Sequence, residues 1–240
     1  MNFEMLAFPL VTFYEKFVNI FITRGMYKMV LDGLKNTAII TLGALAIGVI
    51  IGTVIAVIKY FGEGSKALKP LVWLCDIYTT VVRGIPMVVL LMIFYYIILV
   101  SASGIAVGII AFGINSGAYM AELIRSGINA VNVGQMEAGR SLGLSKLQTM
   151  RKIILPQAVR YILPAIGNEL IALVKETSVA GYVAVVDVTR AIFLIRNNTY
   201  ESVVTLTLLA VIYLVIVIVL TRLLKLLERR LSTNDQRKKS

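Results

Sequence analysis

Twenty-three consecutive residues, Asn36 to Ile58, carry no charge and are bounded by Lys35 and Lys59. About 20 apolar residues in a helix cross a hydrocarbon layer roughly 30 Å thick, so this run reads as one span. Gly84 to Ala121 is also charge-free, and at 38 residues it is nearly twice one span. Ser101-Ala102-Ser103-Gly104 divides it, because small polar residues with glycine make a turn. Ser202 to Thr221 is a further span between Glu201 and Arg222. The stretch from Pro156 to about Lys175 contains Pro164 and Glu169, yet it is apolar enough to form another helix. The pattern predicts an all-α integral membrane protein with five transmembrane helices, over about 36–58, 84–100, 105–124, 156–176 and 202–221.

Composition agrees. Hydrophobic residues make up 58% of the 240 and charged residues 15%, against about 45–50% and about 25% in soluble domains. There is no histidine, which excludes imidazole ligands and histidine-based general bases. The single cysteine, Cys75, excludes an intrachain disulfide and a thiolate metal cluster, and it reads as a small buried hydrophobe. No metal site is expected. Gly62-Glu63-Gly64-Ser65-Lys66 lacks the spacing of the phosphate-cradling loop G-x-x-x-x-G-K-[ST], so the chain does not bind ATP itself.

Residues 1–32 form an aromatic, amphipathic segment suited to the membrane interface. Their first charge is Glu4, where a signal peptide would start with a basic region. A transmembrane domain follows over 33–230, and residues 231–240 are a polar tail, read as disordered from Ser232. Basic residues set the orientation. Sixteen of them fall in the loop after the first span, in Arg125 to Arg160, and at the C-terminal end, which five spans place on one side. The other side has none at 101–104 and two, Arg190 and Arg196, between the fourth and fifth spans; the N-terminal arm adds four. The positive-inside rule then puts the N-terminus outside, the C-terminus in the cytoplasm, and the chain in the cell membrane.

The longest cytoplasmic loop, 133–156, holds Glu137-Ala138-Gly139, then Gly143-Leu144, then Ile153-Ile154-Leu155-Pro156. Gln135 to Leu142 reads as a short helix with an acid in its first turn. Gly143 reads as its left-handed cap, and a second helix begins near Ser145. Glu137, Ala138, Gly143, Ile153, Leu155 and Pro156 stand at the spacing of the EAA loop of ABC importer permeases, and the loop resembles it. Gly139 departs, since the family usually has a second alanine there. Gly33-Leu34-Lys35-Asn36-Thr37 resembles the start of that family's first helix, and Arg83-Gly84-Ile85-Pro86 its RGxP motif. Gly117 to Glu122 resembles a third-helix motif, and Lys175-Glu176-Thr177-Ser178 resembles the KDTS stretch of the polar amino-acid subfamily, with Glu for Asp. The resemblance implies the type I importer permease fold and a non-catalytic subunit. It also implies a second permease chain, a cytoplasmic ATPase dimer that binds ATP and Mg, and an external solute-binding protein. Glu137, Ala138, Gly139, Gly143 and Leu144 are then the ATPase-coupling residues. A secondary transporter or channel driven by an ion gradient is the alternative; it usually has internal repeats, and none is visible.

Glu169 and Glu176 lie seven residues apart, about two helical turns, and share one face of the fourth span. Each acid deep in a membrane costs about 3 kcal/mol, so they either pair with Lys175 or Arg83 or receive a cationic ligand. Asn115, Tyr119 and Glu122 form a polar stripe on the third span. Glu169, Glu176, Asn115 and Tyr119 are the candidate substrate-binding residues, for a polar, basic amino acid (arginine, lysine or histidine). Glu122 is expected to pair with Arg125, and Arg83 to mark the cytoplasmic start of the second span. Gly48-x-x-x-Gly52 permits close helix packing.

Overall fold

A computed structural model describes residues 12–62 and 64–236, with side chains as far as residue 229. A helix over 12–17 widens into a π turn, Val18–Thr23, and together they form α1. The later helices are α2 (Tyr27–Gly62), α3 (Lys69–Gly84), α4 (Met87–Ile93) with a π turn Phe94–Ile98, and α5 (Gly104–Asn129). Then come α6 (Gly134–Ser141) and α7 (Lys146–Thr149), which runs through a π turn, Met150–Ile154, into α8 (Leu155–Glu176). A 3-10 turn, Thr177–Val183, precedes α9 (Val188–Thr199), and α10 (Ser202–Gln236) ends the described chain. There is no strand among the described residues.

Three helices, α2, α5 and α10, are long and apolar enough to cross a membrane alone. Two bent pairs add a span each if each pair is one crossing: α3 with α4 and its π turn, bent by 108°, and the α7–α8 run with α9, bent by 52°. Helices overlap each of the five expected stretches, with two differences in their bounds. At 36 residues α2 is about 54 Å long on the 1.5 Å rise, so it overshoots the hydrocarbon at both ends and takes in the charges that bound the sequence run. The expected span over 84–100 is corrected to a broken helix that starts at Lys69. Pro86 explains the break. Proline disfavours the helical conformation of the residue before it, and Ile85 is extended, with φ −92° and ψ 129°. The tail also differs, since helix continues through 231–236; residues 237–240 and 1–11, with Glu4, lie outside the described residues.

Helix α5 is the axis of the packing, and α2 lies along it. A Cβ on Gly48 would stand 2.7 Å from Ser116 Oγ, and one on Gly52 would stand 2.8 Å from the Ala121 nitrogen. Only hydrogen fits there, so the two backbones approach closely, as small residues allow in membranes. Ile40, Leu91, Val107, Phe112 and Leu173 form the main buried cluster at the meeting of α2, α4, α5 and α8. Cys75 is buried against Ile55 and Ala121, as expected of a small hydrophobe. The α1 segment does not lie free at an interface: Ile20 and Phe21 are buried against Val188, Ile192 and Val204, and Lys16 pairs with Glu201 at 2.8 Å.

The loop between the 3-10 turn and α9 is fixed from 150 positions away. Asn36 Nδ2 donates to the Val186 carbonyl at 2.9 Å, and the Val188 N–H donates to Thr37 Oγ1 at 3.2 Å. Gly33 completes the seat, because a Cβ there would stand 2.8 Å from the Asp187 carbonyl oxygen. Asp187 caps α9 by accepting from the N–H groups of Thr189 and Arg190.

Candidate functional site: a polar seam beside α5 and a capped loop

The polar stripe of α5 divides between two surroundings. Asn115 and Ser116 are buried, and Ser116 Oγ donates to Glu169 Oε1 of α8 at 2.8 Å. Glu169 therefore meets a neutral hydroxyl, and not the Lys175 or Arg83 of the pairing alternative. Glu176 lies in the last turn of α8, half-buried, within electrostatic reach of Glu169 and Lys175. Tyr119 and Glu122 instead line a cavity of about 590 Å³ with Lys59, Asp76 and Arg83. Arg83 stacks on the Tyr119 ring, its guanidinium carbon 5.1 Å from the centroid.

Arg83 corrects the sequence expectation. It stands in the last turn of α3, at the bend, against the middle of α5, and it starts no span. Tyr78, one turn earlier on α3, donates to the Ile114 carbonyl at 2.5 Å and holds the two helices side by side. Glu122 does pair with Arg125, at 2.8 Å, and it also pairs with Lys59 at 3.2 Å. Lys59 and Asp76 were not foreseen as site residues. Lys59 was counted as a loop charge, yet its side chain is only 11% exposed and sits 2.9 Å from Asp76 Oδ1. Neither was legible, since Lys59 bounds its charge-free run and Asp76 reads as a linker charge until Lys59 is placed beside it.

A second cavity, of about 510 Å³, opens beyond Glu176. Ser178, Tyr182, Arg190 and Phe193 line it, with Tyr96 from the middle of α4's π turn.

The 133–156 loop is built as its sequence indicated. Glu137 lies in the first turn of α6, and Gly143 ends it with φ +82°, a left-handed conformation that a β-branched residue resists. Arg140 Nη1 donates to the Leu144 carbonyl at 2.9 Å across that turn. Ser145 caps α7 in a capping box with Gln148. Gly139 is buried, and a Cβ there would clash with Thr149 Cγ2 and stand 2.9 Å from its Oγ1, so this packing leaves no room for alanine. Val133, Leu142 and Leu147 are 72%, 79% and 61% exposed, an apolar outer face on the loop.

These features together define a multi-span α-helical membrane protein with broken helices, half-buried carboxylates and an exposed helix-turn-helix loop. Residues 48–233 match the model of the binding-protein-dependent transport system inner membrane component, and the chain belongs to that family. It is 37% identical over 210 residues, 86% of this chain and 94% of the relative, to the arginine transport system permease protein ArtQ of Bacillus subtilis. It is 35% identical over 229 residues, 94% of this chain and 98% of the relative, to the putative glutamine transport system permease protein GlnP of Rickettsia felis. Its fold resembles a chain in the crystal structure of an amino acid ABC transporter with histidines, with a TM-score of 0.80, 37% identity, and coverage of 88% of this chain and 98% of that one. A chain of the inward-facing MetNI methionine ABC transporter, at 21% identity and a TM-score of 0.71, shares the fold.

Proposed function

We propose that the chain is the permease subunit of an ATP-driven amino-acid importer and that its translocation path serves a basic amino acid. The family and the relatives' names support the importer, and the α8 carboxylates support the basic substrate. Glu169 is half-buried with one hydroxyl partner, and Glu176 follows two turns on. A carboxylate deep in the membrane costs about 3 kcal/mol, and one neutral hydrogen bond offsets only part of that. Arginine or lysine carries an α-ammonium and a distal cation that reach both acids, while the Asn115 amide of α5 serves the α-carboxylate; Tyr119, the other candidate on α5, lines the neighbouring cavity with Arg83. The chain works with a second permease chain, a cytoplasmic ATPase dimer carrying ATP and Mg, and an external binding protein. It lies in the cell membrane with its N-terminus outside and its C-terminus inside. The ATPase docks on the 133–156 loop, through exposed Glu137 and Ala138 and the exposed apolar side chains beside them, while buried Gly139 and the turn at Gly143 and Leu144 set the loop's shape.

Uptake by the assembled complex, with its binding protein, tests the substrate assignment. The Glu169→Gln and Glu176→Gln variants are expected to lower arginine uptake about tenfold each, the scale of one lost charge-assisted contact, and to change glutamine uptake less. Unchanged arginine uptake and ranking in both variants would make the acids structural and leave the basic substrate without support.

A further inference from the structure

The last turn of α2 faces two ways. On one side, Tyr60 packs with Met136 and Ile128 around buried Met150 and Ile154 of the 133–156 loop and its π turn, and Lys146 Nζ lies 5.0 Å from the Tyr60 ring centroid. On the other, its neighbour Lys59 reaches Asp76 of α3 at 2.9 Å and Glu122 of α5 at 3.2 Å, and donates to Thr79 Oγ1 at 3.4 Å. Asp76 and Glu122 are walls of the 590 Å³ cavity that also holds Arg83 and Tyr119. Adjacent residues on a helix point about 100° apart, so one rigid turn touches the loop and the cavity at once.

We infer that Lys59 is a positioning residue that latches α3 to α5 at the loop end of the cavity and releases them when the loop moves Tyr60. The inference rests on the proposed importer function. Its physical basis is the unequal strength of the two arms. Asp76 is 58% exposed, so its pair with Lys59 is screened and readily broken. Glu122 is 27% exposed and keeps a second cation, Arg125, at 2.8 Å. A displacement of the α2 end therefore frees α3 first, while α5 keeps its acid neutralised. Toward the bend α3 is held by the Tyr78 hydrogen bond, buried Val82 and Arg83 on Tyr119, and Cys75 packs on Ile55 and Ala121, so loss of the Asp76 pair loosens the end of α3 away from the bend. The bend at Ile85 and Pro86 lets the freed half-helix swing about one end.

The test uses the complete complex in proteoliposomes with its ATPase and binding protein. ATP hydrolysis is measured with and without substrate-loaded binding protein, alongside uptake and thermal stability. Lys59→Met is expected to raise unstimulated hydrolysis and to cut uptake about tenfold, the size of a typical site-to-site coupling. Lys59→Arg, which keeps both pairs, is expected to restore stimulation. The double variant Lys59→Met with Asp76→Asn removes the latch without stranding the exposed acid, so it serves if Lys59→Met fails to assemble, and it is expected to assemble and remain uncoupled. Stimulation equal to the parent's in an assembled Lys59→Met or double variant overturns the latch while leaving the importer intact. A parent complex that shows no stimulation overturns both.

Discussion

Gly143 shows what one backbone angle does here. Its φ of +82° turns the chain from α6 into α7, and L-residues with a Cβ resist that region by about 1–2 kcal/mol. Gly143→Val is expected to carry that strain and misalign Leu142 and Leu144. Gly143→Asn is expected to be tolerated, since asparagine visits the left-handed region. Co-purification of the ATPase with the permease checks this: the valine variant should lose about tenfold in retained ATPase, on the free-energy scale just given. Equal retention by both variants would mean that the turn geometry does not matter for docking. This position was legible in the sequence because a glycine after a short amphipathic run has one common explanation. Lys59 was not legible. Hydropathy counts a lysine the same way whether it faces water or two carboxylates, and its partners lie 17 and 63 positions away in the chain.

The helices divide along the same line. The start of α5 after its serine cap, the start of α8 and the start of α10 follow from local turn and charge signals. The Ser103 side chain accepts from the Ala106 N–H as a turn residue before a helix should. The α3–α4 pair could not be read that way. Asp76 and Arg83 look like loop charges until Lys59 and Tyr119 are placed beside them. A broken helix with paired charges thus resembles a polar linker followed by one ordinary span. The bend itself was written in Pro86, whose motif was noted for its resemblance and not for its backbone consequence.

Across the molecule, apolar side chains remain open on the outer face of α10, including Val211, Leu214, Val215 and Ile218, and on α2, including Leu42, Ile50 and Val54. These faces suit lipid or a second permease chain. The charge asymmetry predicts which ends meet the cytoplasm. In a Cys75→Ala background, a cysteine at position 145 is expected to react with an impermeant maleimide only after cells are opened, and one at position 198 in intact cells. Ser145 and Asn198 are both exposed, so access is not blocked by packing. Labelling of position 145 in intact cells would reverse the orientation and put the loop out of reach of a cytoplasmic ATPase.

The seat that α2 offers to the 184–188 loop is asymmetric. Its α2 side is made of side chains and of the lack of one at Gly33, whereas the loop presents a carbonyl oxygen and an N–H. Any amino acid supplies a carbonyl, and all but proline supply the N–H. Heredity is therefore constrained on one side only: Gly33, Asn36 and Thr37 cannot drift, while the identity of residue 186 is invisible to the contact it makes. A library randomised at 33, 36, 37 and 186 and selected for uptake should return the first three nearly unchanged and a varied fourth. In such a lineage the half of the contact that changes fastest is the half that carries the least information, and a comparison of sequences alone would mistake a fixed joint for a free loop.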